Sequence, residues 1–480
     1  MESIAKKAAS ALPVTMQDVS ALDRLVRLVK ERKDRPWSGD FTTFEQELGE
    51  RLREVGRELL QEEMSKGDVE AEAVLIDGTA HRRVLRSSET YMTTMGPVTV
   101  ERTLYKDRTA PGAKSIAGLE GRLGIVGGYW TPLAAKQAAW VVSQMTPALG
   151  EELFERIGTM SPSKSTLDRL PKELHGRWED DRKAFEASLR EVTVIPEGTA
   201  SIAVSLDGVL APMKDGGAVA TREQAADEGR VSKGPAGYRE IGCATISFCD
   251  EDGEMISAIR AARMPETKKR TLKSWLLAEV AAIYEKRPDL LIVKVADAAN
   301  DNWDFLHKQL PVGEEVVDFF HATEHLGAAL AAAYSDGSRK SRHRFEELRE
   351  ILLEDHGGVD HIIRSLQYLE RTYPQRKKIA EAVGYFKRNK KRMNYAALRE
   401  KDLPVGSGPV EAACKTLVAQ RMKQSGMRWG QEGGQAILTL RGWSQSERFD
   451  QAWALLAATY EFQVTIISNV VPISSAKKRR

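Results

Sequence analysis

The sequence predicts a mixed α/β protein with a large helical share, and three observations carry that expectation. SIAVSLDGVLAPM, YREIGCATISFCD and GEMISAIRAARM, between Ser201 and Met264, are strand-like runs, the last two joined as a hairpin at Asp250–Gly253. TLKSWLLAEVAAIYEKR then reads as a helix ended by Pro288, and LLIVKVAD, a short helix (NWDFLHKQL) and EEVVDFF follow. Three strands, a helix, a strand, a helix and a strand is the order of a mixed sheet with helices packed on it. From Glu324 to Arg399 the pattern is almost entirely helical, and another helical region runs from beyond Gly406 to about Ala458.

Residues 1–120 form a separate region. It is helical and highly charged to about residue 70, with Phe44, Leu48, Leu52, Val55 and Leu59 at helical spacing. ETYMTTMGPVTVERTLY then reads as two short strands around the Met95-Gly96-Pro97 turn, and the Pro- and Gly-rich DRTAPGAKSIAGLEG marks a boundary. Residues 121–195 are helical again. The segment Leu149–Phe154, the pair Ile157-Gly158 and SPSKSTLDRL have the general shape of a helix-turn-helix, with Ser163, Lys164, Ser165 and Arg169 toward a groove. A plain helical hairpin fits the same pattern.

Hydrophobic content of 42% with 29% charged residues is that of an ordinary globular chain. No apolar stretch reaches the roughly 18 residues of a membrane span, and the N-terminus has no apolar core of a secretory signal. The three cysteines, Cys243, Cys249 and Cys414, make neither an even disulfide framework nor a CxxC pair, so a reducing cytoplasm is the expected compartment. Net charge is only +2, but its distribution is uneven. Arg371, Arg376, Lys377, Lys378, Lys387, Arg388, Lys390, Lys391 and Arg392 crowd one stretch, and the chain ends in Lys477-Lys478-Arg479-Arg480. Such clusters suit a phosphate backbone, and equally a solvated helix face and a frayed tail.

Three acids stand where chemistry could occur. Asp207 lies near the end of SIAVSL, a run expected to be buried, where a carboxylate is costly unless bonded, paired or on a metal. Asp297 ends LLIVKVA, and ligands of α/β sheets gather at the carboxyl ends of strands. Glu411 follows Gly406-Ser407-Gly408-Pro409-Val410, with proline suited to a first helical turn. Each has a plainer explanation: an Asp-Gly turn, an N-cap and a capping-box acid. Together, hard carboxylate oxygens suit Mg²⁺ or Mn²⁺, and two such ions about 3.5–4 Å apart activate water or a 3′-hydroxyl and stabilise a leaving oxygen. His321-Ala322-Thr323-Glu324-His325 offers a rival, the H-x-x-E-H zinc motif of inverted zincin peptidases, with Glu400 as a third ligand. Asp318 and His321, as D-x-x-H at a strand end, could instead buttress the acids by hydrogen bonds.

From Ser205 to Trp429 the chain resembles bacterial insertion-sequence transposases of the ISKra type, in the wider Mutator-like group. The text that carries the resemblance is SLDGVLAPMK, PAGYREIGCATISF, VKVADAANDNW, VVDFFHATEHL and GSGPVEAACKTLVAQRMKQSGMRW, extending into GGQAILTLR. It implies an RNase H-like core in two parts, 196–323 and 404–465, interrupted by an all-helical insertion at 324–403 and followed by a basic tail at 466–480. It also implies a DDE transposase in which Asp207, Asp297 and Glu411 hold two Mg²⁺ or Mn²⁺ ions, supported by Asp318 and His321. The implied partners are the element's terminal repeats and target DNA, with a homodimer or higher oligomer pairing two ends in the bacterial nucleoid. Lys164, Arg169, Lys387, Arg388, Lys390, Lys391, Arg392, Arg421, Lys423 and Arg428 are the expected phosphate contacts, and Trp429 is placed to stack on an unpaired base. A catalytically inactive, DNA-binding descendant is the alternative. The family commonly has glycine after the second acid where this chain has Ala298, and alanine resists a positive φ, so a tight turn there would be perturbed.

Overall fold

The computed structural model describes residues 20–33, 39–214, 225, 227, 228, 237–406 and 408–467. By internal contacts the chain divides into two units, residues 1–173 with 453–480, and residues 174–452. The basic tail at 477–480 and Ser407 lie outside the described residues.

In the first unit, α1 (Ala21–Lys33) and α2 (Phe41–Lys66) precede β1 (Ala73–Ile76), β2 (Thr79–Thr93), β3 (Gly96–Lys106) and β4 (Ile116–Ala117). Then come α3 (Gly118–Leu123), α4 (Pro132–Gln144), α5 (Pro147–Ile157) and α6 (Lys164–Asp180), whose last turns belong to the second unit. Asp40 starts α2 by accepting the Thr43 N–H at 3.1 Å, which satisfies one of the donors a helix start leaves open. The hairpin is longer than the two short strands expected, pairing continuously from Thr93↔Gly96 to Arg82↔Lys106 with one bulge at Arg83/Leu85. Much of the first two-thirds of β2 is exposed, so the polarity of TAHRRVLRSS hides a strand that backbone pairing sustains. This antiparallel sheet has the order β10-β1-β2-β3-β4, its first strand being β10 (Val464–Ile466) from the far end of the chain. Residues 453–465, read from sequence as part of the second core segment, therefore group with the N-terminal unit.

The second unit holds α7 (Arg182–Val192), β5 (Ser201–Pro212), β6 (Tyr238–Cys249), β7 (Met255–Arg263), α8 (Arg270–Lys286), β8 (Leu291–Ala296), α9 (Asn300–Gln309) and β9 (Glu314–Val317). Five helices follow: α10 (Phe319–Tyr334), α11 (Arg339–Glu354), α12 (Gly358–Thr372), α13 (Lys377–Asn389) and α14 (Tyr395–Arg399). The last stretch runs through α15 (Gly408–Ala413), a π-helical segment (Cys414–Ala419), α16 (Gln420–Met422), α17 (Gln431–Gln445) and the start of α18 (Phe449–Ala458). The sheet order is β7-β6-β5-β8-β9, antiparallel from β7 to β5 and parallel from β5 to β9. This is a mixed α/β architecture. In β5 the first six residues are buried, and in β8 all but the first, because helices cover both faces of central parallel strands. The β6–β7 turn needs Gly253: its φ is +77°, and a Cβ there would stand 2.3 Å from the Asp402 carbonyl oxygen.

One core joins the sheet to the helices that follow it. Val204, Leu206, Ile246 and Val295 of the strands cluster with Leu326, Ile362, Leu366 and Phe386 of α10, α12 and α13, all buried. Burying each such side chain contributes about 1.5–3 kcal/mol, so the α10–α14 helices are fixed to the strand ends. Among the described residues, no helix is long and apolar enough to cross a membrane.

Candidate active site

Strand register brings the acids together. The last β5–β8 pair is Ser205↔Val295, and Asp207 and Asp297 each lie two residues beyond it. The last β8–β9 pair is Ala296↔Val317, one residue before Asp297 and Asp318, and the ladder continues through Asp318 N–H to Ala296 O at 3.0 Å. Parallel neighbours in register carry their side chains on the same face of a sheet. Asp207, Asp297 and Asp318 thus stand side by side where the parallel pairing of β5, β8 and β9 ends.

Asp207 does not begin a turn, since β5 continues through Gly208 to Pro212 in unbroken pairing with β6. Burial raises its carboxyl above the ordinary range; the Gly208 backbone bond opposes this, the charge of Asp297 adds to it, and His321 and Lys269 oppose it. Opposite Asp207 lies Cys243. Cys414 donates its S–H to Asp207 Oδ2 at 3.6 Å, and its thiol is held protonated by Cys243, by burial and by the Asp207 charge. All three cysteines are reduced and buried.

Asp297 is not the N-cap of α9; Ala299 is, without a side-chain bond. Asp297 Oδ1 instead accepts the Ala299 N–H and the Asn302 Nδ2–H, each at 3.2 Å, while Asn302 Nδ2 also lies 3.3 Å from Leu206 O. Trp303 Nε1 donates to the Asp297 carbonyl at 2.6 Å. Asn302 therefore ties β5, at the residue before Asp207, to the second acid, a role the sequence reading missed although Asn302 and Asp297 both lie in the VADAANDNW block. The expected perturbation at Ala298 does not arise. Its φ is not positive, and its side chain packs against the main core.

Glu411 sits on α15, one turn before the π-helical segment. A π turn breaks the i→i−4 ladder and leaves carbonyls to be satisfied elsewhere. Arg441, itself buried, supplies the donors, with Nε 2.9 Å from Leu417 O and Nη2 on Thr416 O. That locks the helix carrying the third acid. Glu411 Oε1 lies 3.9 Å from His321 Nδ1, and His321 Nδ1 lies 3.2 Å from Asp318 Oδ1, which also caps α10 by accepting the His321 N–H at 2.7 Å.

The donor atoms of Asp318, His321 and Glu411 all lie within 4.8 Å of one another, and among the described residues no other three or more do. Asp207, Asp297 and Glu411 therefore do not close around a single point. His321 behaves as a cation here: the Asp318 hydrogen bond raises its pKa, burial opposes, and the charges of Asp318, Asp207 and Glu324 bring it up to about 9. With its proton on, His321 links Asp318 to Glu411 as a charged brace, and with the proton displaced the same three donors could hold a metal ion. A group with its folded pKa so raised stabilises the fold below its ordinary value near 6.5, and that stabilisation is lost as pH rises through about 9. The His321 NMR signal of cation-free protein is expected to titrate near 9, and to return toward the ordinary range in Asp318→Asn. A midpoint unmoved by that substitution would contradict the brace.

The zinc motif does not assemble. His325 stacks on Tyr385, ring centres 3.8 Å apart, and Glu400 bonds His356 at 2.8 Å instead of meeting His321 and His325. Chain spacing brought the histidines onto one helix face, but tertiary packing gave each a different partner.

The expected DNA contacts divide. Lys164, Arg169, Lys387, Arg388, Lys391, Lys423 and Arg428 are exposed. Lys390 pairs with Asp360 at 2.7 Å, and Arg392 pairs with Glu315 at 2.9 Å and covers the Trp303 ring. Ser163 is engaged at the start of α6, its Oγ accepting the Thr166 N–H at 3.3 Å. Arg421 is 2% exposed and its guanidinium lies 5.2 Å from the Trp429 ring centre, so it packs the interior and reaches no phosphate. Trp429 extends the sheet edge beside Met213, donates Nε1–H to Met422 O at 3.0 Å and packs on an apolar cluster with Met422 and Leu417. Its ring is half-buried structure, which leaves the stacking role without support. No protein-family model matches the chain, and no curated protein matches it.

Proposed function

We propose that the chain is a DDE transposase of the ISKra type that cleaves DNA at the ends of an insertion sequence and joins the freed 3′-hydroxyl to target DNA. The observation that carries this reading is the alignment of Asp207 and Asp297 just past the last pair of the adjacent parallel strands β5 and β8, with Glu411, on a later helix, 3.9 Å from His321. The order β7-β6-β5-β8-β9, with helices inserted between β9 and the Glu411 helix, supports an RNase H-like core. Ala298 has no positive φ, which favours an unperturbed turn after the second acid.

Asp207, Asp297 and Glu411 fit Mg²⁺ or Mn²⁺ on their chemistry: hard oxygens, with a buried carboxyl raised partly by its neighbour's charge, a repulsion that a dication relieves. Two such ions, when bound, supply neutralisation of phosphoryl charge and a lowered pKa for the attacking hydroxyl or water. The protein's own groups do the rest. Asn302 and the Ala299 N–H orient Asp297, Cys414 orients Asp207, and the Asp318–His321 brace orients Glu411. Exposed Lys423 and Arg428 beyond the Glu411 helix are suited to hold the DNA backbone, and pairing two element ends calls for at least two copies of the chain.

The test is incubation with Mg²⁺ and DNA carrying the element's ends. Strand cleavage and joining are expected with wild type, and not with EDTA or with Glu411→Gln; undiminished joining by Glu411→Gln contradicts the reading. Lys423→Ala with Arg428→Ala is expected to weaken binding evenly across DNA sequences. The slope of log affinity against log salt should fall by about 2, about one for each lost phosphate contact. An unchanged slope places the DNA elsewhere.

A further inference from the structure

Tyr385 is 5% exposed, on the face of α13 that packs against α10, and its hydroxyl has no hydrogen-bond partner. Its ring stacks on His325, two helical turns beyond the Asp318 cap and one beyond His321. A buried hydroxyl without a partner is costly, and such groups in native structures usually wait for a ligand or a water. The charges nearest it identify which. Burial, then Asp318, Asp297 and Glu324, hold the phenol far above its ordinary pKa, so it stays neutral and is no nucleophile. Asp318 and Asp297 act on it through their charge, and neither bonds it.

We propose that Tyr385 is a positioning residue of the acid centre, its hydroxyl accepting a hydrogen bond from a water of the hydrated divalent cation held there. This rests on the cation-binding reading above and adds to it a contribution from the helical insertion. Mg²⁺ and Mn²⁺ sites keep several waters, and groups that bind those waters fix the ion's geometry. The hydroxyl oxygen has lone pairs to accept from such a water. No other described polar side chain of α13 is both buried and without a partner.

The experiment is Mn²⁺ binding by calorimetry to the full chain without DNA, comparing wild type, Tyr385→Phe, Asp207→Asn and Asp297→Asn, with cation-free melting curves for each. Tyr385→Phe removes one oxygen from a site where it has no partner, so its cation-free melting should match wild type. Its Mn²⁺ affinity should fall about 10-fold or more, and its melting should rise less on adding Mn²⁺. Asp207→Asn and Asp297→Asn should abolish binding. If they do, and Tyr385→Phe binds as wild type does, the role of Tyr385 is overturned and the acid centre stands. If wild type binds no Mn²⁺, or the aspartate variants bind it unchanged, both fall. Should Tyr385→Phe melt lower without cation, Tyr385→Trp and the relaxation of bound-Mn²⁺ water protons decide: relaxation unchanged in both variants overturns the proposal.

Discussion

Asp207→Asn is expected to reduce Mg²⁺-dependent strand cleavage and joining by about 10³-fold or more, the scale of losing a fixed group that stabilises transition-state charge. The same substitution is expected to leave cation-free protein as stable as wild type, or more so. The sign follows from the raised carboxyl of Asp207, whose largest cause is burial. In the folded chain the proton is held more tightly than in the unfolded one, so stability falls as pH rises from about 3.9 through the raised value, and at neutral pH the charged form is a cost. Asparagine removes that charge and keeps the shape. Added Mg²⁺ should raise the melting temperature of wild type by mass action and leave Asp207→Asn unmoved. A variant that melts several degrees lower without cation would show Asp207 to be a structural acid.

Glu279→Ala is expected to cost about 3–5 kcal/mol, the scale of removing one member of a buried ion cluster. Glu279 projects from α8 with 1% exposure. Arg448 Nη2 donates to its Oε2 at 2.9 Å and to Thr193 Oγ1 at 2.7 Å, and Arg190 Nη1 lies 3.5 Å from Oε1. The carboxylate thus joins α7, α8 and the segment after α17 behind the sheet. Without it, two largely buried guanidinium groups face each other with no anion between them. Urea unfolding of the 174–452 unit should show the loss. A double change with Arg448→Ala should cost less than the sum of the two single changes, because the stranded charge goes with it. A loss of under about 1 kcal/mol would mean that water reaches the cluster.

Much of this fold was legible because the central strands are written in apolar runs. SIAVSL and LLIVKVA announce strands covered on both faces, and the acids ending them needed only the parallel register to become neighbours. What stayed hidden depends on distant polar partners. β2 is largely polar along its first two-thirds, and β10 meets β1 from almost four hundred residues away. Arg421 looked like a phosphate ligand because its burial comes from Trp429 and the surrounding core, which helical position alone does not reveal. His325 and Glu400 looked convergent until tertiary packing gave them Tyr385 and His356. Asn302 and Tyr385 carry no local signature, since an amide and a phenol become site residues only through what stands opposite them. The doubt over Ala298 came from a glycine habit; in this chain the turn uses an Asx-type bond from Asp297 to Ala299 and no positive φ.

Crystals soaked in Mn²⁺ report, through anomalous scattering, whether Asp207, Asp297 and Glu411 hold a pair of divalent cations. Two peaks about 3.5–4 Å apart are expected, with Asp207, Asp297 and Glu411 among the residues that touch them. A single peak on Asp318, His321 and Glu411 that leaves Asp207 bare would contradict that expectation.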